Sequence, residues 1–490
     1  MSILRRISLV LIIIFAIAAA QAQWTEVVPG IDYQEFNISG PNNVFVARLD
    51  RTNESCIIDS CLGQGELISG RETVSGMANR YDGAINYWGQ SWGSTNDVIV
   101  AINGDFWDTV NLKPVSGQIL SGWYARRFTD FSGGSGFSWQ LDRDAFIGGC
   151  VRHISSRNYV TYTETGQTQN INDINVERGS DELILYTSQY NENTSTDNSG
   201  VEVLLEMARP SMILPQPADA TGTIVEVRNS QGSTPIPFRH VVLSATGSAA
   251  TKLAANSTVG QTIEISQEIT HYEKDCSTSN PWDWTKSYGS IGGGFVFLKD
   301  GTAQSTTNTD RHPRTAVALN NDYVFFMVVD GRDTGVSIGM TYAEMADFCK
   351  NTLGATDGIN QDGGGSSAIW VNGEIKNKPS DGSERATYNG LMMISVQTQE
   401  QTTTFSDGAS VRTTAAGSLR LGPGNNYGIL QSISSGETGT VVNDSLNGVL
   451  AKGSNWWKCD FAGVVGWMDE AVLEDVTTRI GEWSSFKSSK

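Results

Sequence analysis

The chain is poor in the residues that build metal and nucleotide sites. Its 490 residues include only four histidines, too few for a histidine-rich metal site, and its six cysteines (Cys56, Cys61, Cys150, Cys276, Cys349 and Cys459) show no zinc spacing. Its most glycine-dense loop lacks the Gly-Lys-Ser/Thr ending of a nucleotidase phosphate loop. Long apolar runs are scarce too: beyond residue 20, no stretch approaches the roughly 20 apolar residues of a membrane span. Positive charge is in short supply, with 34 Lys and Arg against 53 Asp and Glu and a net charge of −19. Such a chain is a poor general partner for nucleic acid or anionic membrane. An anionic substrate has to be held by a local arginine cluster, against the field of the whole molecule.

The single long apolar run, residues 7–20, follows Arg5 and Arg6 and leads to Ala20-Gln21-Ala22, the anatomy of a signal peptide over residues 1–22. Its removal leaves 32 basic residues against the same 53 acidic ones, a net charge of −21. No cysteine stands where a lipid anchor would need one, so the expectation is a secreted or periplasmic protein with no membrane span in the mature chain. In an oxidising compartment Cys56 and Cys61 could close a small loop, while Cys349 and Cys459 read equally well as free buried thiols.

Glycine (52 residues) and tryptophan (13) are plentiful, which points to a β-rich, loop-rich protein. A hydrophobic content of 39% suffices for real cores, and the length suits about three domains. The most informative stretch is Asn360-Gln361-Asp362-Gly363-Gly364-Gly365-Ser366-Ser367. Three successive glycines cost backbone entropy and pack nothing, so they fit a place where the chain needs positive φ or where a ligand lies against bare backbone. Their amides can form an anion-binding nest beside Asp362. A β-rich run and Asn372-Gly373, a strong hairpin signal, follow, so the loop joins strand to strand.

Other strand ends carry polar residues. The apolar run 97–102 delivers Asn103-Gly104-Asp105, and a predicted hairpin of 314–319 with 323–329 carries Arg314 at one end and Asp330-Gly331-Arg332 at the other, with His312 nearby. Asp330 and Arg332 also read as a structural ion pair. Thr341 and Glu344 form a capping box for a helix through about Lys350, which makes Glu344 a poor candidate acid. A loop over 377–385 ends in Arg385. Asp173 and Asn175 read best as solvated surface residues.

Taken in order, Asn-Gly-x-Phe at 103–106, Gly-Gly-Gly at 292–294, Pro-Arg-Thr-Ala at 313–316, Asp-Gly-Arg at 330–332, Gly-Met-Thr at 339–341, Asp-Gly-Gly-Gly-Ser-Ser at 362–367, Pro-Ser-Asp-Gly at 379–382 and Glu-Arg at 384–385 resemble the phosphodiester glycosidase family. The likeness is strongest over 289–394 and weaker over 24–108. Asp105 departs from it, since members often carry glycine or another residue there. The resemblance implies hydrolysis between a sugar anomeric carbon, such as that of N-acetylglucosamine, and a phosphate oxygen, with a sugar phosphodiester or a glycan polymer as substrate.

The chemistry of the residues agrees. A phosphodiester is a permanent anion that Arg314, Arg332 and Arg385 can bind. Asn103, Asp105, Gly363, Gly364, Gly365 and Ser366 complete the expected substrate site, and Asp362 and Asp330 are the expected catalytic carboxylates. No cofactor is expected, although Asp362, Asp105 and backbone carbonyls leave a calcium open. The alternative is a non-catalytic protein that binds cell-wall or exopolysaccharide through the same glycine-rich loop.

Residues 398–408 read as a linker. Residues 409–476 resemble a bacterial Src-homology-three-like (SH3-like) domain, through Leu419-Arg420-Leu421-Gly422-Pro423-Gly424, the stretch 438–442, Trp456-Trp457 and Gly466-Trp467. That resemblance implies attachment to cell-wall glycan, with packing on the enzyme as the other reading. Trp456 and Trp457 must face opposite ways, so only one is expected in a core. The fold expected is α+β: a β-rich catalytic domain over 23–397, a small all-β SH3-like barrel, and a tail over 477–490.

Overall fold

Runs of β-branched and aromatic residues form strands through most of the chain, with three α-helices among the described residues. The computed structural model describes residues 23–81, 94–110, 112–128, 135–149, 151–153, 158–208, 220–266, 269–271, 287–398, 402, 404–442, 446–451 and 454–476. The signal-peptide reading, the 477–490 tail, Cys150 and Cys276 lie outside them.

Arg314–Leu319 and Tyr323–Val329 pair as the predicted hairpin, and both are buried along almost their whole length. They lie at the centre of an eight-stranded sheet ordered Thr25–Val28, Ile31–Ile38, Asn42–Asp50, Tyr323–Val329, Arg314–Leu319, Asp357–Asn360, Val296–Lys299, Thr302–Ala303. One face carries the helix Tyr342–Asn351, whose Met345, Phe348 and Cys349 pack with Phe325 and Met327. The predicted capping box starts that helix: Thr341 and Glu344 exchange side-chain and backbone hydrogen bonds. Arg311 adds an ion pair to Glu344, so this carboxylate is occupied.

The other face shares a core with a five-stranded sheet of Glu374–Ile375, Ile369–Val371, Ser94–Asn103, Asn389–Thr398 and Cys56–Leu62; Val317, Phe326, Ile102 and Leu391 meet there. The outer face of this second sheet carries the helix Val74–Arg80 through Val74, Met77 and Ala78. A third sheet, containing Ser135–Trp139 and Gly289–Gly293, adds Phe137, Trp139 and Ile291 to the shared core. The result is two sheets back to back with a helix outside each, so strands of both sheets end along a common edge.

Cys56 and Cys61 do not close a loop. They stand five residues apart on one strand and so face opposite sides, Cys56 into the shared core and Cys61 toward the helix Val74–Arg80. Both are free and buried, as are Cys349 and Cys459. Residues between 158 and 266 build a further eight-stranded sheet, on which the helix Gly247–Ala255 packs Ala250 and Leu253. Thr246 supplies no side-chain cap to this helix, and Ala250 and Leu253 are its buried residues.

Residues 410–475 form a separate antiparallel sheet. Trp457 faces its core, with Val411, Leu419 and Met468. Trp456 faces the other way and is nevertheless buried, against Phe238 and Trp467. The expectation that only one of the pair is core therefore fails, because the second face of the strand is covered by the preceding sheet domain. A Phe238–Trp467 edge contact at 5.7 Å and a backbone bond from Phe238 N–H to the Leu421 carbonyl tie the two together. Among the described residues no helix is long and apolar enough to cross a membrane.

Candidate active site

The Asp362 loop crosses from one central sheet to the other, from Asp357–Asn360 to Ile369–Val371. Gly364, at φ +64°, makes the turn and gives its N–H to the Pro313 carbonyl at 2.9 Å. Asp362 N–H donates to the Gly104 carbonyl at 2.9 Å. Asn103 holds the loop from the neighbouring strand end: its Nδ2 donates to the Asp362 carbonyl at 2.7 Å, and its Oδ1 accepts from Thr315 Oγ1 at 2.7 Å and Ala368 N–H at 3.2 Å. Asn103, expected as a substrate ligand, is fully buried and spends its amide on the loop.

The Asp362 carboxyl is mostly buried, and burial pushes it above the usual carboxylate range. The hydroxyl of Ser366, the N–H of Gly363 and the charge of Arg385 pull it back. Such a carboxylate is more basic than one in water and keeps partners that steady its charged form.

Arg385 and Arg332 flank this group. Arg385 donates through Nε (3.0 Å) and Nη2 (2.5 Å) to one oxygen of Asp381, and Nη1 lies 3.4 Å from Ser366 Oγ. Arg332 Nη1 is 3.9 Å from the other Asp381 oxygen and 3.4 Å from Ser380 Oγ, with the side chain 48% exposed. The expected Asp330–Arg332 ion pair is absent from these contacts; Arg332 adopts φ +64° and pairs with Asp381 instead.

The cluster also corrects the reading of the glycines. A Cβ on Gly364 would stand 2.9 Å from Arg332 Nη2, and one on Gly365 would overlap Asp381 and Arg385. The bare backbone therefore admits the protein's own Arg332–Asp381–Arg385 cluster.

Arg314, expected as a phosphate clamp, lies elsewhere in energetic terms. It is 5% exposed, donates from Nε to the Met340 carbonyl (3.0 Å) and from Nη2 to the Asp310 carbonyl (2.8 Å), and stacks on Tyr342 at 4.2 Å. Its removal would take a charged donor from the Met340 and Asp310 carbonyls and a cation from the Tyr342 ring, so Arg314→Ala is expected to lower stability by about 2–3 kcal/mol. Thermal unfolding checks this; an unchanged melting temperature with weakened anion binding would return Arg314 to the clamp.

Asp330 and Asp105 are similarly engaged. Asp330 accepts from Asn377 Nδ2 (3.2 Å) and Lys378 N–H (3.0 Å), and Asn377 in turn accepts from Ile369 N–H and donates to the Ser367 carbonyl. Expected as catalytic, Asp330 thus supports the far end of the glycine loop. Asp105 is buried, with its oxygens accepting from Phe106 N–H (2.7 Å) and Ser116 N–H (2.9 Å), and burial pushes its carboxyl up to about 6. With both oxygens taken by backbone, it is poorly placed as the calcium ligand the sequence left open. Among the described residues no three His, Cys, Asp or Glu side chains gather around one point.

Sequence reasoning missed Asp381, which reads as an ordinary turn aspartate before Gly382. It also missed Gln361, whose buried side-chain amide has no hydrogen-bond partner, and Ser367, whose buried hydroxyl has none. His312 is half-buried; burial, then Arg314 and Arg332, hold its imidazole below the usual histidine range. Asn175, expected at the surface, is a fully buried amide bonded to Tyr124, Ala125 and Thr187.

Residues 219–394, the segment that includes Arg332, Asp362, Asp381 and Arg385, match the family model of phosphodiester glycosidase. That match supports a glycosidase of the hydrolase class at the level of the family. No curated protein matches the chain. Among solved structures, a hypothetical protein from Synechocystis aligns with a TM-score of 0.52 at 16% identity, over 77% of this chain and 64% of that one. The chain therefore spans less than two thirds of that protein's length, and the two share a fold. A putative exported protein from Burkholderia pseudomallei aligns with a TM-score of 0.48 at 19% identity, over 72% of this chain and 74% of that one. The catalytic domain of zebrafish N-acetylglucosamine-1-phosphodiester alpha-N-acetylglucosaminidase, auto-inhibited by its pro-peptide, aligns with a TM-score of 0.36 at 13% identity, over 76% of this chain and 85% of that one.

Proposed function

We propose that the chain hydrolyses sugar phosphodiesters between the anomeric carbon and the phosphate oxygen. The observation that carries this reading is the junction of two chemistries at one place: a partly buried carboxyl made more basic by burial, Asp362, beside the half-exposed guanidinium groups of Arg385 and Arg332. A diester anion resting on the two arginines brings its sugar to Asp362.

The carbon–oxygen bond breaks with its electron pair on the phosphate oxygen, and the oxygen of water ends on the anomeric carbon. Asp362 acts there as nucleophile or as the base that takes a proton from water. The leaving group is a phosphomonoester with a second pKa of about 6, so it departs without strong acid help. Asn103 and the Asp330–Asn377 pair hold the loop, and Asp362 must be charged to act.

The sugar proposed is N-acetylglucosamine, on the resemblance of the sequence motifs alone. In the same reading, the leader over 1–22 exports the protein, and the 409–476 unit is an SH3-like module that holds it on cell-wall glycan. The test is incubation with UDP-N-acetylglucosamine and with a simple N-acetylglucosamine phosphodiester, followed by chromatography. Free sugar released by the wild type and not by Asp362→Asn is the expected result; binding of glycan without sugar release would overturn the hydrolase.

A further inference from the structure

We propose that Asp381 shifts the selectivity of the arginine pair away from a doubly charged phosphomonoester and toward a singly charged phosphodiester. The inference rests on the hydrolase reading and adds to it a basis for substrate choice and for release of the phosphate product.

Three observations carry it. Asp381 stands between the two guanidinium groups, with one oxygen on Nε and Nη2 of Arg385 and the other 3.9 Å from Arg332 Nη1. Its side chain is 37% exposed, so it lies on the solvent side from which an anion arrives. Among the described residues Arg332 has, beyond this pairing, a 3.4 Å contact with Ser380 Oγ and is 48% exposed, which leaves donors for a ligand. An anion held by both arginines must therefore lie beside the Asp381 carboxylate.

Repulsion scales with charge, so this carboxylate opposes a dianion twice as strongly as a monoanion in the same place. A phosphodiester carries one charge at any physiological pH, whereas a monoester carries two above its second pKa of about 6. The two arginines also attract a dianion twice as strongly, so Asp381 lowers the advantage that the doubly charged product would otherwise have over the substrate. Asp362, the other carboxylate at the site, feels the charge of Arg385, whereas Asp381 contacts both guanidinium groups, so Asp381 is the carboxylate that spans the clamp.

The rival explanation is that Asp381 only clips Arg385 in place. Asp381→Asn separates the two, because it keeps the size and an acceptor oxygen while removing the charge. The experiment is calorimetric titration at pH 8 of the full chain with methyl phosphate, a dianion, and dimethyl phosphate, a monoanion. Asp381→Asn should tighten methyl phosphate about five- to tenfold relative to dimethyl phosphate, the size of effect one charge gives about 4 Å away in largely water-screened surroundings. Asp381→Glu should restore the wild-type ratio, and Asp381→Ser should move the ratio as Asn does. Equal weakening of both anions, or an unchanged ratio, would overturn the proposal in favour of the clip. Failure of either anion to bind the wild type would overturn the clamp itself. Because the readout is binding, a wild type that discriminates these anions yet releases no sugar would count against the hydrolase alone.

Discussion

Asp362→Asn is expected to lower turnover of a sugar phosphodiester by about two to four orders of magnitude while moving KM by no more than a few-fold. The substitution keeps the size of the side chain and an oxygen for the Ser366 hydroxyl, so the loop retains its shape. What disappears is the charge that attacks the anomeric carbon or takes the proton from water. The wild-type pH profile carries the same signature. Asp362 works deprotonated and burial raises its pKa, so activity should fall on the acid side of the profile at a pH above the ordinary aspartate value of about 3.9. Steady-state kinetics of both proteins across pH check this. Turnover in Asp362→Asn close to that of the wild type would reduce Asp362 to a loop-shaping residue and bring Asp330 forward.

Arg385→Ala is the second large effect, and it acts on binding. A charge-assisted hydrogen bond to a phosphate oxygen contributes about 1.5–3 kcal/mol, so KM should rise by roughly ten- to one-hundred-fold. The residue is partly exposed and its pairing with Asp381 is of the surface kind, so thermal stability should change little. The charge of Arg385 also lowers the Asp362 pKa, and its loss should move the acid limb of the pH profile upward. A mutant with a lower melting temperature and an unshifted profile would make Arg385 structural. The contrast with Arg314 is instructive, since that arginine satisfies backbone carbonyls and should show the opposite pattern.

The loop itself was legible in the sequence because three glycines beside a carboxylate, between two β-rich runs, have few structural uses. Its role was read only in part. Sequence places bare backbone at Gly364 and Gly365 but does not say what fills the space, and here Arg332, Asp381 and Arg385 fill it. Arg314, Arg332 and Arg385 look alike on paper; burial divides them, since Arg314 begins a buried central strand while Arg332 and Arg385 stand in loops. Asp381 was hidden because a Pro-Ser-Asp-Gly turn explains its aspartate without any ligand. The strands of the two central sheets and the Thr341 cap were predictable from local pattern, whereas the burial of both Trp456 and Trp457 depends on Phe238, more than 200 residues away in sequence.

Hydrolysis in water enriched in oxygen-18 tests the central claim most directly, because it reports which bond breaks. With a sugar phosphodiester as substrate, mass spectrometry of the first turnover products should find the heavy oxygen at the anomeric carbon of the released sugar and none in the phosphomonoester. Heavy oxygen in the phosphate would mean attack at phosphorus, and would contradict a glycosidase built around Asp362.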